Sequence, residues 1–306
     1  MKVLVCDPLD PKEVEKIKGA GLEVMERVGM SPEELAAELK KGYEIIIVRS
    51  ATKVRRPAIE AAQGLKLIVR AGVGLDNIDV DAAKERGIEV KNTPKASSIS
   101  VAELAFAHML ALARSLPQAT QSLCEGKWEK KAFKGIELYG KTLGVIGIGR
   151  IGREVAKRAL CFGMRVIAYD KYITESPLSE VALVSLDELL RESDFVTLHI
   201  PPDPAGPVIG KEEIEKMKDG AYIINCARGG VVDEEALLEA LDSGKLAGAG
   251  LDVFGEEPPT NERLLKHPKV TLTPHIGAQT KEAQARVGEE VADIVISFAK
   301  GGARNA

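Results

Sequence analysis

The stretch that decides the fold is Lys141-Thr-Leu-Gly-Val-Ile-Gly147-Ile-Gly149-Arg-Ile-Gly152. It sets a G-x-G-x-x-G pattern at the end of a hydrophobic strand. In this pattern Gly147 permits the tight turn from strand to helix, Gly149 lets the backbone approach a pyrophosphate, and Gly152 lets the following helix pack close to the strand. Because a helix N-terminus favours bound negative charge, the stretch predicts a dinucleotide site.

The residues after the glycines complete a strand–helix–strand unit. The pattern predicts a helix from Arg153 to Phe162 and a strand over Arg165–Tyr169, with Asp170 at the end of that strand. An acidic residue roughly 20 positions beyond the glycines can bind the ribose 2′-hydroxyl and repel the 2′-phosphate of NADP. We therefore predict NAD(H) as the cofactor. The alternative is that Asp170 only caps a turn.

Length and composition limit the class of protein. A chain of 306 residues exceeds the usual single core, so two domains are expected. The net charge of −4 argues against a nucleic-acid binder, which needs a basic face. No apolar run has the length of a signal peptide or a bilayer span, and the four cysteines lack metal-site spacing. We expect a soluble, cytoplasmic protein with reduced thiols, no bound metal and no membrane partner.

Short β runs alternate with helical stretches in two series. The first series of predicted strands is Val3–Cys6, Leu22–Met25, Glu44–Val48, Leu67–Val69 and Ile88–Lys91. The second is Thr142–Ile146, Arg165–Tyr169, Phe195–His199, Ala221–Asn225, Gly248–Val253 and Val270–Thr273. Such alternation is typical of parallel sheets with helices on both faces, so the sequence predicts the α/β class with two doubly wound domains.

Two long helical patterns set the domain organisation. One runs from Ser98 to about Cys124 and would bridge the two domains. The other, Thr280 to Lys300, follows the last strand and would return to the N-terminal domain. The predicted domains are therefore a discontinuous one, residues 1–97 with 284–306, and a second one, residues 98–283.

Ligands of open parallel sheets bind outside the carboxyl ends of the strands. The residues that follow predicted strands are Arg49-Ser50, Arg70-Ala71-Gly72, His199, Asn225-Cys226-Ala227-Arg228, Asp252 and His275. A single polar residue at a strand end is often a cap or a turn residue. Their joint placement favours a site at the sheet edge.

Hydride transfer to or from a hydroxy or keto acid needs an acid–base group and a cation for the carboxylate. His275 suits the first task because an imidazole exchanges protons near neutrality, and Glu257 could pair with it. Arg228 offers a permanently charged planar fork for a carboxylate. Of the other histidines, His108 lies within a helix and is interpreted as structural, and His267 as an exposed loop residue. His199 would line the cofactor cleft without transferring protons.

These residues carry a resemblance. Four motifs resemble those of the D-isomer-specific 2-hydroxyacid dehydrogenases: Gly147-x-Gly149-x-x-Gly152 with Asp170, Asn225-Cys-Ala-Arg228-Gly-Gly, Leu251-Asp-Val-Phe-Gly-Glu-Glu257-Pro and Thr273-Pro-His275-Ile-Gly-Ala278. Three further stretches are most similar to members that act on 3-phospho-D-glycerate: Arg49-Ser-Ala-Thr-Lys53, Arg70-Ala-Gly-Val-Gly-Leu-Asp-Asn77 and Gly126-Lys-Trp-Glu129. The resemblance covers nearly the whole chain.

The resemblance implies a Rossmann-type NAD domain, a flavodoxin-like substrate domain, a homodimer, and Arg228, Glu257 and His275 as catalytic residues. The NAD contacts that it implies lie at Gly147, Gly149, Arg150, Ile151, Gly152, Asp170, His199, Ile200, Pro201, Cys226, Ala227, Arg228, Asp252, His275, Gly277 and Ala278. Arg49 and Arg70, with Ser50, Ala71 and Gly72, match substrate-binding positions that face the cleft, where arginines would bind a phosphate. The implied reaction is NAD-dependent oxidation of 3-phospho-D-glycerate.

Other interpretations stay open. A glyoxylate or hydroxypyruvate reductase would use the same machinery on an unphosphorylated acid, and each of the two arginines could instead form an ordinary ion pair. An NAD(H)-sensing dimeric scaffold is an alternative of another class, since fold alone does not fix function. Two departures from the family pattern are the loop Pro201-Pro-Asp-Pro-Ala-Gly-Pro207 and the chain end at Ala306. We expect altered cofactor contacts from the loop, and no serine feedback through a C-terminal regulatory domain.

Overall fold

The computed structural model describes residues 1–302 and divides the chain into two compact units. The first unit comprises Met1–Ser97 and the chain from Ala278 onward, and the second comprises Ser98–Gly277. Every strand pair in both sheets is parallel, which confirms the predicted α/β class with two parallel-sheet domains. The chain returns to the first unit at residue 278, earlier than the predicted 284, because the last helix begins at Lys281.

The first unit is built on five strands. They are β1 Lys2–Val5, β2 Glu23–Glu26, β3 Ile45–Val48, β4 Leu67–Arg70 and β5 Glu89–Asn92, connected by helices α1 Pro11–Gly19, α2 Pro32–Leu39, α3 Arg56–Ala61 and α4 Val80–Glu85. The sheet order is β2-β1-β3-β4-β5, which is the flavodoxin-like order. The central strand β3 reads Ile-Ile-Ile-Val and is buried throughout, as expected for a strand covered on both faces.

The second unit contains a seven-stranded sheet. Its strands are β6 Thr142–Ile146, β7 Arg165–Tyr169, β8 Ala182–Leu183, β9 Phe195–Leu198, β10 Ala221–Asn225, β11 Leu246–Leu251 and β12 Val270–Leu272. Its helices are α5 Ser98–Arg114, α6 Leu116–Cys124, α7 Arg150–Cys161, α8 Leu186–Glu192, α9 Lys211–Lys216, α10 Glu234–Ser243 and α11 Glu262–Leu265. The order β12-β11-β10-β9-β6-β7-β8 reverses direction at β6, so the switch point where ligands bind lies between β6 and β9.

Two predicted helices differ from the observed ones. The bridge predicted as one helix is two, α5 and α6, which are bent by 62°. Ser115 between them has a left-handed backbone (φ 49°), and Pro117 in the first turn of α6 cannot donate a backbone hydrogen bond back into α5. The helix after the glycines begins at Arg150 and not at Arg153, so Gly152 lies within its first turn.

No single helix within residues 1–302 has both the length and the apolar composition of a membrane span. Only the bent pair α5 and α6 reaches them, and only when the two helices are counted together.

The last helix, α12 Lys281–Gly302, closes the first unit. It presents Val287, Val291 and Val295 to the core at intervals of four residues, and all three are buried. It packs on α1, where a Cβ at Gly288 would lie 2.7 Å from Cγ of Glu13. Glycine at this position therefore permits the close approach of the two helices.

Candidate active site

The glycine turn after β6 has the local geometry that its sequence predicts. Gly147 has a φ of 92°, and a Cβ there would lie 2.7 Å from the carbonyl oxygen of His199. A Cβ at Gly152 would lie 2.0 Å from the carbonyl oxygen of Gly147. Both positions therefore require glycine: the first for its backbone conformation and its approach to the end of β9, the second for close contact between α7 and the turn.

Gly149, unlike Gly147 and Gly152, is not crowded by neighbouring atoms. It is the N-cap residue of the twelve-residue helix α7, and no atom beyond its chain neighbours lies within 4 Å of a Cβ built on it. The space above this turn is open, and Arg150 and Ile151 follow in the first helical turn, where backbone N–H groups have no partner inside the helix. An open cradle at a helix N-terminus fits the pyrophosphate of a dinucleotide.

Asp170 ties the end of β7 to the glycine turn. Its Oδ2 accepts a hydrogen bond from the backbone N–H of Ile148 (3.0 Å), and its Oδ1 accepts from the N–H groups of Tyr172 (2.9 Å) and Ile173 (3.1 Å). The carboxylate therefore does cap a turn, as the alternative interpretation holds. Its two oxygens offer about four acceptor positions in all, so a ribose hydroxyl can still bind.

The segment after β9 passes beneath the same turn. His199 is held by a contact of 2.9 Å between its Nε2 and Oγ1 of Thr197, and burial lowers the pKa of His199 to about 3. The imidazole is thus neutral near pH 7 and unsuited to proton exchange there. Beyond Ile200 and Pro201, the loop with the unusual sequence is anchored by Asp203, which accepts from Nζ of Lys171 at 3.1 Å.

The turn that carries Arg228 is built by its own neighbours. Asn225, at the end of β10, accepts from the N–H of Ala227 (3.0 Å) and donates to the carbonyl oxygen of Arg228 (2.9 Å). A Cβ at Gly229 would lie 1.8 Å from the carbonyl oxygen of Phe254, so only glycine lets this turn pack against the segment that leads to Glu257. Cys226 is buried, and burial raises the pKa of its thiol, which keeps the thiol protonated.

His275 and Glu257 form a pair. Nδ1 of His275 lies 2.8 Å from Oε2 of Glu257, while Oε1 of Glu257 accepts from the N–H of Phe254 at 3.2 Å. Both side chains are half exposed, so the pair is open to a ligand. Because Nδ1 is engaged by the carboxylate, Nε2 is the nitrogen of His275 that can exchange a proton with a substrate.

Asp252 holds the loop on which His275 stands. It is buried, and its two oxygens accept from the backbone N–H groups of Ile276 (2.8 Å) and Gly277 (2.8 Å) and from the hydroxyl of Thr273 (2.6 Å). The hydroxyl of Ser100 donates to the carbonyl oxygen of Gly277 at 2.6 Å. Sequence reasoning named Asp252 and Gly277 but missed Thr273 and Ser100, whose roles depend on contacts between distant parts of the chain.

The predicted substrate residues lie in the first unit, at the ends of β3 and β4. The loop that starts with Arg49 and Ser50 is fixed by Asp7, whose Oδ2 accepts from the backbone N–H of Arg49 at 2.5 Å, and by Asn77, which donates to the carbonyl oxygen of Arg49 at 2.7 Å. Within residues 1–302, Arg49 makes no ion pair, and its guanidinium reaches only the carbonyl oxygen of Pro8. Asn77 ends one of the family-like stretches and Asp7 belongs to none of them, and the anchoring role of neither residue was predicted.

Arg70 lies folded over its own strand end. Its Nη1 donates to the carbonyl oxygen of Ala71 at 3.2 Å and would lie 1.3 Å from a Cβ at Gly72, where φ is 145°. Glycine at position 72 therefore makes room for the guanidinium. Ala71 is buried, whereas Ser50 is exposed.

The second unit thus brings together the glycine turn, Asp170, the Arg228 turn, Asp252 and the His275–Glu257 pair. Arg49, Ser50, Arg70, Ala71, Gly72 and Ala278 belong to the first unit. The predicted site residues are therefore divided between two units of the chain.

Comparisons with known proteins agree with this arrangement. Residues 106–277 match the family described as D-isomer specific 2-hydroxyacid dehydrogenase, NAD binding domain. A D-3-phosphoglycerate dehydrogenase from Archaeoglobus fulgidus is 51% identical over 306 residues, which cover 98% of this chain and 58% of the relative. This chain therefore spans less than two thirds of the length of that protein.

Two other similar proteins match along nearly their whole length. A hydroxypyruvate reductase from Thermotoga maritima is 54% identical over 304 residues, which cover 95% of this chain and 96% of the relative. Among solved structures, a D-lactate dehydrogenase from Aquifex aeolicus, complexed with NAD and lactic acid, has a TM-score of 0.87 and 36% identity. The match covers 98% of this chain and 96% of that one.

Proposed function

Because this chain belongs to the D-isomer-specific 2-hydroxyacid dehydrogenase family, we propose that it oxidises 3-phospho-D-glycerate to 3-phosphohydroxypyruvate with NAD, the entry step of serine biosynthesis. The observation that carries the proposal is the His275–Glu257 pair, in the unit that also holds the glycine turn and Asp252. An acid–base pair of this kind can transfer a proton to or from a substrate, which the binding of a dinucleotide alone does not require. The geometry therefore favours an enzyme over a scaffold.

His275 would move the proton of the reaction. In the direction of oxidation, Nε2 of His275 accepts the proton of the C2 hydroxyl while the C2 hydride leaves, and the C2–O bond becomes a carbonyl. NAD, when bound, supplies the acceptor for that hydride. Glu257 fixes the ring through Nδ1 and stabilises the imidazolium that forms. In the reverse direction the same Nε2–H donates to the carbonyl oxygen.

Arg228 would bind the α-carboxylate of the substrate. Its turn is rigid because Asn225 bridges it, and it packs on the segment that leads to Glu257. A guanidinium can engage both carboxylate oxygens at once, which fixes the orientation of C2 as well as the charge. Arg228 therefore serves as a positioning cation in this proposal, and lysine would replace it poorly.

Arg49 and Arg70 support a phosphorylated substrate. Each stands at the carboxyl end of a parallel strand, where ligands of this fold class bind, and each has its backbone or side chain fixed by neighbours in the first unit. A phosphate would gain charge-assisted hydrogen bonds from such guanidinium groups. We propose that the two arginines select the phosphorylated acid.

A reductase of hydroxypyruvate is the second candidate. It is favoured by the Thermotoga maritima relative, which is 54% identical to this chain, whereas two D-3-phosphoglycerate dehydrogenases are 51 and 52% identical. The chemistry at His275 would be the same. Only the need for a phosphate separates the two candidates.

Initial rates of NADH oxidation test the proposal. They would be measured with 3-phosphohydroxypyruvate, hydroxypyruvate, glyoxylate and pyruvate, for the wild type and for Arg49→Gln and Arg70→Gln. We expect the highest kcat/KM with 3-phosphohydroxypyruvate and a larger loss in both variants for this acid than for hydroxypyruvate. A preference for hydroxypyruvate would establish the second candidate, and no turnover with any acid would favour the NAD(H)-sensing scaffold.

We also propose that the chain forms a homodimer through the second unit. Leu116, Leu123 and Trp128, on and just after α6, are 51, 60 and 84% exposed. Large apolar side chains clustered on one short segment are typical of protein interfaces. A second copy of this chain is the partner that the family resemblance favours.

A further inference from the structure

A chain of buried polar contacts connects α5 to the loop that carries His275. His108, on α5, is 3% exposed. Its Nδ1 lies 2.7 Å from Oγ1 of Thr271, and its Nε2 lies 3.1 Å from Oγ1 of Thr273. The hydroxyl of Thr273 in turn donates to Oδ1 of Asp252 at 2.6 Å. A residue interpreted from its sequence as an ordinary helix side chain is therefore part of a network that reaches the active-site loop.

The contacts in this network have a fixed direction. A carboxylate can only accept hydrogen bonds, so the Thr273 hydroxyl gives its proton to Asp252, which also accepts from two backbone N–H groups. Nε2 of His108 must then donate to Thr273, which leaves Nδ1 to accept from the hydroxyl of Thr271. Burial lowers the pKa of His108, which agrees with a neutral ring that donates from Nε2.

Asp252, at the end of the network opposite His108, binds the backbone next to His275. The N–H groups of Ile276 and Gly277, directly after His275, both donate to Asp252. His275 itself has a φ of 53°, a left-handed conformation that a non-glycine residue adopts only when its surroundings impose it. A second side chain of α5, Ser100, holds the carbonyl oxygen of Gly277. Helix α5 thus contacts this segment at two points, through His108 to Thr273 and through Ser100 to Gly277.

The side chain of His108 lies between α5 and β11, and both of its ring nitrogens have polar partners. A Cβ at Gly250 of β11 would lie 2.6 Å from Cβ of His108, so glycine at that position lets α5 lie close to β11. An apolar side chain of similar volume would fill the space equally well. Both nitrogens of the ring nevertheless have a hydroxyl partner, which packing alone does not require.

We propose that His108 is a positioning residue for His275, acting through Thr273 and Asp252 to hold residues 273–277 in the conformation that presents the acid–base imidazole. The proposal rests on the proposed function in one respect, which is that proton transfer belongs to His275. His108 touches neither the substrate nor the cofactor in this account.

Paired variants separate positioning from packing. Thr273→Val removes the hydroxyl at nearly constant volume, whereas Thr273→Ser keeps it. His108→Met removes both ring nitrogens, whereas His108→Gln keeps a donor and an acceptor. We expect kcat to fall by about tenfold or more in Thr273→Val and His108→Met, a barrier change of about 1.4 kcal/mol, with partial recovery in Thr273→Ser and His108→Gln. KM for the keto acid should change much less than kcat.

Ser193→Ala is the matched control. Ser193 is fully buried in the second unit, and its hydroxyl donates to the carbonyl oxygen of Leu189, away from the network. Its loss should lower Tm and leave kcat unchanged. Equal losses of kcat in Ser193→Ala and Thr273→Val would overturn the proposal, since both would then reflect general destabilisation.

Nitrogen-15 NMR of the histidine rings gives a readout that does not depend on turnover. We expect His108 as the neutral Nε2–H tautomer, and we expect the ring signals of His275 to shift in Thr273→Val but not in Ser193→Ala. Unshifted His275 signals in Thr273→Val, or an Nδ1–H tautomer of His108, would overturn the proposal. A wild-type protein that reduces no keto acid would contradict the proposed function instead, and the NMR result would still decide whether the network holds the loop.

Discussion

His275 differs from an ordinary loop residue in its backbone conformation, its side-chain contact and the contacts of its neighbours. Its backbone is left-handed at a φ of 53°, its Nδ1 is bound to Glu257, and the two residues after it are held by Asp252. A strained conformation of this kind costs a non-glycine residue about 1–3 kcal/mol and persists where the surroundings impose it. Ser115 also has a left-handed backbone, but it lies only at the break between two helices. A left-handed residue is therefore not by itself a sign of function, and the functional argument for His275 depends on its contact with Glu257.

Replacement of His275 by alanine tests the acid–base role. We expect kcat to fall by roughly 10²-fold or more, because the substrate proton then has no positioned acceptor. NADH affinity, measured by fluorescence titration, should stay close to that of the wild type. Near-normal turnover in His275→Ala would remove this residue from the mechanism.

Replacement of Asp170 by asparagine tests cofactor choice. The charge is lost, and the single amide oxygen of asparagine can still accept from the N–H groups of Tyr172 and Ile173, whereas the N–H of Ile148 loses its acceptor. We expect the ratio of kcat/KM for NADH to that for NADPH to fall by about tenfold or more, because repulsion of the 2′-phosphate disappears. A small change in Tm would show that the turn survives. An unchanged ratio would point to another residue as the discriminator.

The sequence was informative where chemistry and local pattern coincide. His275, Glu257 and Arg228 were named from residue type, strand ends and family resemblance, and the structure pairs the first two directly. The contact between His108 and Thr273 joins residues 165 positions apart, and that between Arg49 and Asp7 joins residues 42 apart. The spacing of apolar residues along the sequence does not predict such contacts, because they depend on how whole helices and strands pack together.

Among the secondary-structure elements, the turn from β6 to α7 shows how three glycines can have different tasks. Gly147 and Gly152 are confined by neighbouring backbone, and Gly149 faces open space. The spacing of the glycines predicted the tight turn at Gly147 and the close packing at Gly152 correctly, while the pyrophosphate contact at Gly149 stays a prediction. The start of α7 was placed too late, since the sequence offers no side-chain cap at Gly149.

Alanine substitutions at two of these glycines should separate folding from cofactor binding. Gly152→Ala places a methyl group against the carbonyl oxygen of Gly147, so we expect Tm to fall by roughly 2–10 °C from overpacking. Gly149→Ala meets no atom of the protein and should leave Tm unchanged. Its methyl group would nevertheless occupy the pyrophosphate cradle, and we expect the Kd for NADH to rise by about tenfold or more. Equal effects of both variants on Tm would contradict this division of roles.

Strand β8 and the break between α5 and α6 could not be predicted from the pattern of apolar residues. Strand β8 has only two residues at the sheet edge, too few for an alternating pattern to be recognised. The break between α5 and α6 was missed because apolar residues continue across it, although Pro117 marked the place. Strand positions in the two sheet interiors were predicted well, since strands buried on both faces are continuous apolar runs.

At the scale of the whole molecule, the chain leaves its first unit at Ser97 and returns to it at Ala278. The residues at β3 and β4 that we propose for substrate binding therefore belong to a different unit from His275 and Glu257, as the family resemblance implies. A cytoplasmic location, expected from the sequence, stays a prediction. The homodimer is likewise open to a direct test.

Single charge insertions should dissociate the proposed dimer. We expect wild-type protein to elute with twice the chain mass of 32.8 kDa in size-exclusion chromatography with light scattering, and Leu123→Glu and Trp128→Glu to shift towards the single-chain mass. Val28→Glu is the control, because Val28 is 53% exposed in the first unit. A dimer that persists in both α6-segment variants would place the interface elsewhere.

Transfer of the C2 hydride of 3-phospho-D-glycerate to NAD can be followed with a deuterium label. The protein would be incubated with NAD and 3-phospho-D-glycerate deuterated at C2, with hydrazine present to trap the keto acid. We expect NADH that carries deuterium at C4 of the nicotinamide, formed in step with 3-phosphohydroxypyruvate and greatly slowed in His275→Ala. NADH without deuterium, or no reaction under conditions where the same protein reduces hydroxypyruvate, would contradict the proposed function.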